Sequence, residues 1–374
     1  MTLNEAQAAQ IQSILDAPTQ YPEVDRKPRD VREADLLDWL EKYGEVNACY
    51  NLYGMDRADA QSCDDWLDLK AFSKLRWDVN STFSPLGKTL KYDHTLIPRS
   101  KLLSEMYLHY WFGEDSGAYI PTKGILVHND FFRVSASTAQ RVQPCAFADF
   151  IGEHDKGQKL VFKEVYGGRG RQIVIAEVVD GGLRSDGKTE DLESFIQSIA
   201  SPISTWIVQD YFVQHADMAR FNPTSLNTLR VVTYHVGTHA FVDDAAVRMG
   251  CPGAVVDNAY ADGFYTNVDE EGRLDPSLFN FSHKSRTIHD FQDAVIPNMA
   301  AIRDLCKQAH EALPQLFTIG WDIAIGEDGK PTIVEFNDGW AVFVTQTAIG
   351  HAGRPHWNTY LAERQAYIAA AHQA

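Results

Sequence analysis

Apolar positions repeat with helical spacing over residues 3–16, where Leu3, Ala6, Ala9, Ile11, Ile14 and Leu15 define one face. A second helical stretch is predicted over 30–42, with Leu36, Leu37, Trp39 and Leu40 clustered. The aromatic text from 50 to 80 (Tyr50, Tyr53, Trp66, Phe72, Trp77) predicts small helices in an N-terminal cap. Pro85, Gly87 and Pro98 mark 81–98 as a linker. A helix over 100–112 and a strand near 123–128 follow. The pattern then changes: short β-branched or aromatic runs at 160–165, 172–179, 205–213, 228–236 and 240–249 read as strands, interrupted by helical segments at 136–151 and 191–199. A long helix is expected over 294–313, with Ile296, Met299, Ile302, Leu305 and Ala309 on one face. A hairpin over 321–337 and a C-terminal helix over 357–372 complete the chain. These elements predict an α+β architecture of mostly antiparallel sheets with helices on their faces.

Composition narrows the function classes. With 34 basic against 51 acidic residues in 374, the formal charge is −17, which disfavours nucleic-acid and anionic-membrane partners. The five scattered cysteines form no CxxC, so reduced thiols in a cytoplasmic protein are expected rather than a disulfide framework or zinc site. The N-terminus lacks the basic start and apolar run of a signal peptide, and no apolar stretch approaches the ~20 residues of a membrane span.

Three segments carry candidate chemistry. In the hairpin, Asp328-Gly329 reads as a two-residue turn. That turn places Asp322 opposite Glu335, with Asn337 on the same face and Ile323, Ile325, Val334 and Phe336 on the other. Three oxygen donors converging in this way suit Mg²⁺ held together with nucleotide phosphates, against the plainer reading of a solvated polar face. The second segment puts Lys163 in a strand before the loop Gly167-Gly168-Arg169-Gly170-Arg171, which is either an anion cradle or an ordinary Gly-rich hairpin turn. In the third, the apolar strand ending at Gln209-Asp210-Tyr211 could offer an adenine edge or simply leave a sheet. Arg230 and Arg248, each inside an otherwise apolar strand, require anionic partners: a phosphate or carboxylate clamp, or a structural salt bridge.

In order, these pieces resemble the ATP-grasp superfamily. More narrowly, Asn51-Leu-Tyr-Gly-Met-Asp56, Gln209-Asp-Tyr211, Gln214-His215, Asn222-Pro-Thr-Ser-Leu-Asn-Thr-Leu-Arg230, Val256-Asp-Asn258 and Gly320-Trp-Asp322 resemble the sugar-transfer associated ATP-grasp group, over about 51–337. The resemblance implies an ATP-grasp fold with two α+β subdomains clasping the nucleotide: a helical cap and linker at 1–100, a lid subdomain at 101–212 and a metal-bearing subdomain at 213–374. It implies that Lys101 and Lys163 contact ATP phosphates, and that Gly167, Gly168 and Gly170 form the lid. Gln209, Asp210 and Tyr211 would frame the adenine, with His215 near the ribose. Arg230 and Arg248 would neutralise the transferring phosphoryl group. Asp322, Glu335 and Asn337 would hold one or two Mg²⁺ ions, and Asp257 and Asn258 would reach the acceptor substrate. Where the family often has an acidic residue before the first lysine, this chain has Arg99-Ser100.

The activity implied is ligation of a small-molecule carboxylate to an amine through an acyl phosphate, with no nucleophilic Ser or Cys. A phosphotransferase acting on a hydroxyl, or a non-catalytic ATP-binding module in a polysaccharide-related pathway, would share the same nucleotide residues. The helical N-terminus leaves homo-oligomerisation open.

Overall fold

The computed structural model describes residues 3–82, 96–113, 116–135, 142–167, 172–201, 203–291, 294–348 and 353–371. Two antiparallel sheets organise it. Strands β1 (Thr122–Val127), β2 (Asp130–Val134), β3 (Val142–Pro144), β4 (Lys159–Glu164), β5 (Ile173–Val179), β6 (Gly182–Ser185), β7 (Lys188–Glu190) and β8 (Thr205–Asp210) form the first, in the order β3-β2-β1-β8-β4-β5-β6-β7. Strands β9 (Thr228–His235), β10 (Ala240–Met249), β11 (Phe264–Asn267), β12 (Ser277–Asn280), β13 (Ser285–Ile288), β14 (Thr318–Ile325) and β15 (Pro331–Asn337) form the second, in the order β13-β12-β11-β10-β9-β14-β15.

Alternation along the strands decides what each sheet buries. In the first sheet Leu160, Phe162, Ala176 and Val208 face a core completed by the helices Phe147–Ile151 and Leu192–Ile199. The residues between them, Val161, Lys163, Ile173, Ile175 and Gln209, face the opposite way into a cleft. In the second sheet Leu229, Val231, Ile319, Trp321 and Ile323 pack on Ile302, Cys306 and Ala309 of the helix Met299–Glu311. The other face is divided. Val232 and Tyr234 lie under Phe72, Trp340 and Trp357, whereas Thr228, Arg230, Arg248 and Asp322, toward the other end of the strands, line the cleft. The N-terminal helices Glu5–Asp16 and Arg29–Tyr43 build a third core against Ala246, Tyr265 and Phe343.

Several helix boundaries follow from their caps. Ser100 accepts from the Leu103 amide at the start of Lys101–Phe112, and Asp191 from the Ser194 amide at the start of Leu192–Ile199. Gly44, at φ +79°, ends Arg29–Tyr43 in the left-handed region that favours glycine.

Three expectations are corrected. Of the helix expected over 136–151, only Phe147–Ile151 is helical; Val142–Pro144 is an edge strand, and 136–141 lie outside the described residues. The helix expected from 294 begins at Met299, because Asn298 takes a left-handed conformation (φ +57°) and spends its side chain on the Gly329 carbonyl. The hairpin tip is a three-residue loop rather than a two-residue turn: Gly326 pairs with Lys330, and Gly329 carries positive φ. That loop alone would set Asp322 opposite Val334. A β-bulge at Val334 adds one residue to β15 and restores Asp322 opposite Glu335. Val334 therefore faces the cleft beside Glu335, not the core.

Candidate active site

The cleft between the sheets has two lobes, with volumes of about 390 Å³ and about 400 Å³, which share Ile120, Lys163, Gln209, Val334, Glu335, Asn337 and Gly339. Its floor is a transverse row on the second sheet. Arg230, Asp322 and Glu335 are successive cross-strand partners on β9, β14 and β15. Asn337 lies two residues beyond Glu335 and donates its amide to Glu335 Oε1 at 3.0 Å.

Asp322 is the electrostatic centre of the row. Arg230 Nε donates to its Oδ1 at 2.7 Å, and an Arg248 Nη2 lies 3.0 Å from its Oδ2. Burial works to raise the Asp322 carboxyl, but the two guanidiniums hold it below its ordinary value. Arg248 also reaches Asp257 at 3.3 Å and the Thr228 hydroxyl at 2.7 Å. Burial opposes its charge, yet Asp257, Asp322 and Glu335 raise the guanidinium above its ordinary value. Asp257 accepts from the Thr228 amide at 2.9 Å and from its hydroxyl. Burial raises that carboxyl despite the pull of Arg248. Asn258 lines the cleft and folds its side chain back onto the Tyr260 amide at 2.9 Å.

The roof is the apolar face of the first sheet with one charge in it. Lys163, half-buried, makes no hydrogen bond or ion pair among the described residues. Burial lowers its amine to about 8, with Glu335 working in the other direction. Lys101 approaches from the helix Lys101–Phe112 and donates to the Gly167 carbonyl, in the second lobe. Gln209 Nε2 donates to the Ile120 carbonyl at 2.8 Å, while its Oε1 is buried without a partner among the described residues. Such an orphan acceptor is costly unless a bound molecule supplies a donor. Asp210 and Tyr211 line the first lobe beyond it.

Not every expected residue arrives. His215 lies outside both lobes: its ring accepts from the Asp217 amide at the start of the short helix Ala216–Ala219, and the preceding Gln214 lines the cleft instead. Gly168 and Gly170 fall outside the described residues; Gly167 lines the second lobe.

Other residues carried no signal in the sequence. Glu105 lines the second lobe and accepts from the Thr122 amide at 2.6 Å and from its hydroxyl. Arg99 pairs with buried Asp338 at 3.3 Å. Thr228, at the start of the arginine-bearing strand, ties Asp257 to Arg248. The run ending in Arg230 is largely structural: buried Asn227 donates to the carbonyls of Asn222 and Met218, fixing the turn that aims β9.

Among the described residues no group of three or more His, Cys, Asp or Glu side chains could hold a metal by itself. The cleft brings together the oxygens of Glu335 and Asn337 and those of Asp322, whose two carboxylate oxygens are held by Arg230 and Arg248; Mg²⁺ takes oxygen donors of this kind, one or two carboxylates with phosphates and water completing its octahedron. No helix among the described residues is long and apolar enough to cross a membrane.

The family model described as sugar-transfer associated ATP-grasp matches residues 114–359. No curated protein matches the chain in sequence. Similar solved structures include the D-cycloserine synthetase DcsG, 14% identical, covering 73% of this chain and 70% of that one, with a TM-score of 0.36. A D-alanine–D-alanine ligase from Bacillus anthracis complexed with ATP is 12% identical over 74% and 68%, with a TM-score of 0.37. An L-amino acid ligase from Bacillus licheniformis is 11% identical over 75% and 60%, with a TM-score of 0.34. Likenesses this loose carry no weight for substrate or mechanism. The family match spans well over half of the chain, and with its two sheets and the cleft between them this α+β protein belongs to the sugar-transfer associated ATP-grasp family.

Proposed function

We propose that the protein is an ATP- and Mg²⁺-dependent ligase that activates a small-molecule carboxylate as an acyl phosphate and passes the acyl group to an amine. The observation that carries this reading is Lys163, unpartnered among the described residues, facing Asp322, Glu335 and Asn337 across the cleft. A half-buried ammonium with no anion within 4.0 Å among the described residues, opposite hard-oxygen donors, is matched by a polyphosphate together with a divalent cation.

In this reading Ile173, Ile175 and Val161 cover the base, Gln209 takes a donor from it, and Asp210 and Tyr211 close its edge. Lys163 and Lys101 hold phosphate oxygens. Asp322, Glu335 and Asn337 would hold Mg²⁺, which when bound supplies charge neutralisation on the phosphates. The acid's carboxylate oxygen forms a bond to the γ-phosphorus as the bond to ADP breaks. The amine nitrogen then bonds to the acyl carbon, inorganic phosphate leaves with the electron pair, and the amine proton is released. Arg230 and Arg248, held rigid by Asp322 and Asp257, balance the charge that moves.

Calorimetry of ATP with and without Mg²⁺, on wild type and Glu335→Gln, tests the base of this reading. Mg²⁺-dependent binding that the variant loses supports it; no binding to wild type removes it. Release of free phosphate only when both a carboxylate and an amine are present separates a ligase from a phosphotransferase.

A further inference from the structure

The arginines on the cleft floor are already committed to carboxylates, Arg230 to Asp322 and Arg248 to Asp322 and Asp257. Lys163 and Lys101 are taken by the phosphates in the ligase reading. One buried cation beside the cleft has no such commitment. Arg76, on the helix Leu69–Thr82, is only 7% exposed. Among the described residues its sole hydrogen bond is a long one, 3.4 Å, to the Trp340 carbonyl, and its Nε is buried without a partner. Among the described residues no carboxylate lies within 4.0 Å of it; Asp338 acts at longer range and is paired with Arg99. A buried guanidinium kept without an anion weakens a fold, so a purely structural role does not account for it.

Its placement gives it a use. The guanidinium stacks 5.7 Å over the ring of Phe72, one helical turn earlier, and Phe72 lines the cleft. Gly339 borders both lobes two residues beyond Asn337, and a Cβ there would come within 3.5 Å of an Arg76 Nη. Arg76 itself lines neither lobe; it lies directly behind Gly339, where the absent side chain leaves its guanidinium separated from the cleft by backbone alone. Around it the walls are apolar: Phe72, Trp340 and Phe343, with Val255 (53% exposed) and Tyr260 (46% exposed) presented by a loop pinned at Ala254 and Asn258.

We infer that Arg76 binds the carboxylate of the acid substrate, and that this acid carries an apolar, aryl or alkyl body rather than a polyhydroxylated one. The inference rests on the ligase reading of the same cleft. It places a substrate-binding residue in the N-terminal region, outside the span matched by the family model.

The test is calorimetry of the full chain with 3-phenylpropionate as probe, against 3-phenylpropanol, which lacks the carboxylate, and gluconate, whose body is polar. Wild type is expected to bind 3-phenylpropionate at least about tenfold more tightly than either control, the worth of one charge-assisted hydrogen-bond pair. Arg76→Met is expected to lose that advantage while keeping its Mg-ATP affinity and a Tm equal to or above wild type. Arg76→Lys, which keeps the charge but not the planar fork, is expected to bind the probe with intermediate affinity. Gluconate binding as tightly as the probe, or probe affinity unchanged in the Met variant, overturns the inference. So does a Met variant that melts well below wild type together with a Lys variant that binds the probe as wild type does. Failure of Mg-ATP to bind wild type is a different result: it removes the ligase reading and leaves the probe measurement intact.

Discussion

Arg230 Nε and Asp322 Oδ1 meet at 2.7 Å across adjacent strands, both side chains more than nine-tenths buried. Arg248 holds the other oxygen of the same carboxylate. Asp322 is therefore the counter-ion of two buried guanidiniums as well as a proposed metal ligand. Asp322→Asn is expected to destabilise the protein by about 3–5 kcal/mol, the cost of leaving buried charge uncompensated. Glu335 has no ion pair within 4.0 Å among the described residues, so Glu335→Gln is expected to stay within about 0.5 kcal/mol of wild type while losing Mg²⁺-dependent ATP binding. Thermal melts of both variants beside ATP calorimetry check the contrast; equal melting temperatures would contradict it.

Lys163 gives the nucleotide site a pH dependence. Its amine, lowered by burial to about 8 against an ordinary 10.5, is charged below that pH and loses its proton above it. Phosphate contact favours the charged form, so ATP binding takes up a proton above pH 8 and none at pH 6.5. Affinity is expected to fall as pH rises past 8, by up to about tenfold per unit. Calorimetry in buffers of different ionisation enthalpy reads the proton directly, and Lys163→Met is expected to bind weakly with no uptake at either pH.

Gly320 is the floor position beneath Trp340. A Cβ there would lie 2.4 Å from the Trp340 Cβ and 3.2 Å from Arg230 Cδ. Gly320→Ala is expected to cost about 1–3 kcal/mol through overpacking. Because the displaced groups are the cleft wall and Arg230, ATP affinity is expected to fall with stability, measured on the same preparation by melting and calorimetry.

His310 is expected to contribute to acid sensitivity. It is fully buried, bonded to the Thr233 hydroxyl at 2.7 Å and the Leu316 carbonyl at 3.0 Å, and burial lowers its imidazole to about 3. The unfolded chain protonates this ring near 6.5 and the folded chain does not. The stability this ring provides is complete above pH 6.5 and is lost progressively as pH falls from there toward 3. His310→Gln, which can make both hydrogen bonds without titrating, is expected to show a flatter profile of Tm against pH across that window.

Much of this fold was legible because its signals are local. Short β-branched or aromatic runs, the strand lysine before a Gly-rich loop and arginines inside apolar strands each belong to a few consecutive residues. What escaped depends on distant partners. His215 looked like a ribose contact, but its ring is used at a helix start. Arg76 gave no signal, since its lack of a counter-ion exists only once Gly339 and Trp340 are brought beside it. The pairing of Asp322 with Glu335 was anticipated through a compensation: the tip loop is one residue longer than the sequence suggested, and Val334 is one residue extra in the strand.

That extra residue also governs where the chain can change length. From Ile325 opposite Pro331 to Ile323 opposite Ile333, the hairpin keeps step with the core; beyond Val334 it keeps step with the cleft. Insertions at residues 327–328 lie outside both and leave the facing of Glu335 and Asn337 untouched, whereas Gly329 is tied through its carbonyl to Asn298. A single residue gained or lost between Glu335 and Asn337 would turn the amide toward the Trp321 side. Length variation should therefore be common at the tip and absent in the last three residues of the strand.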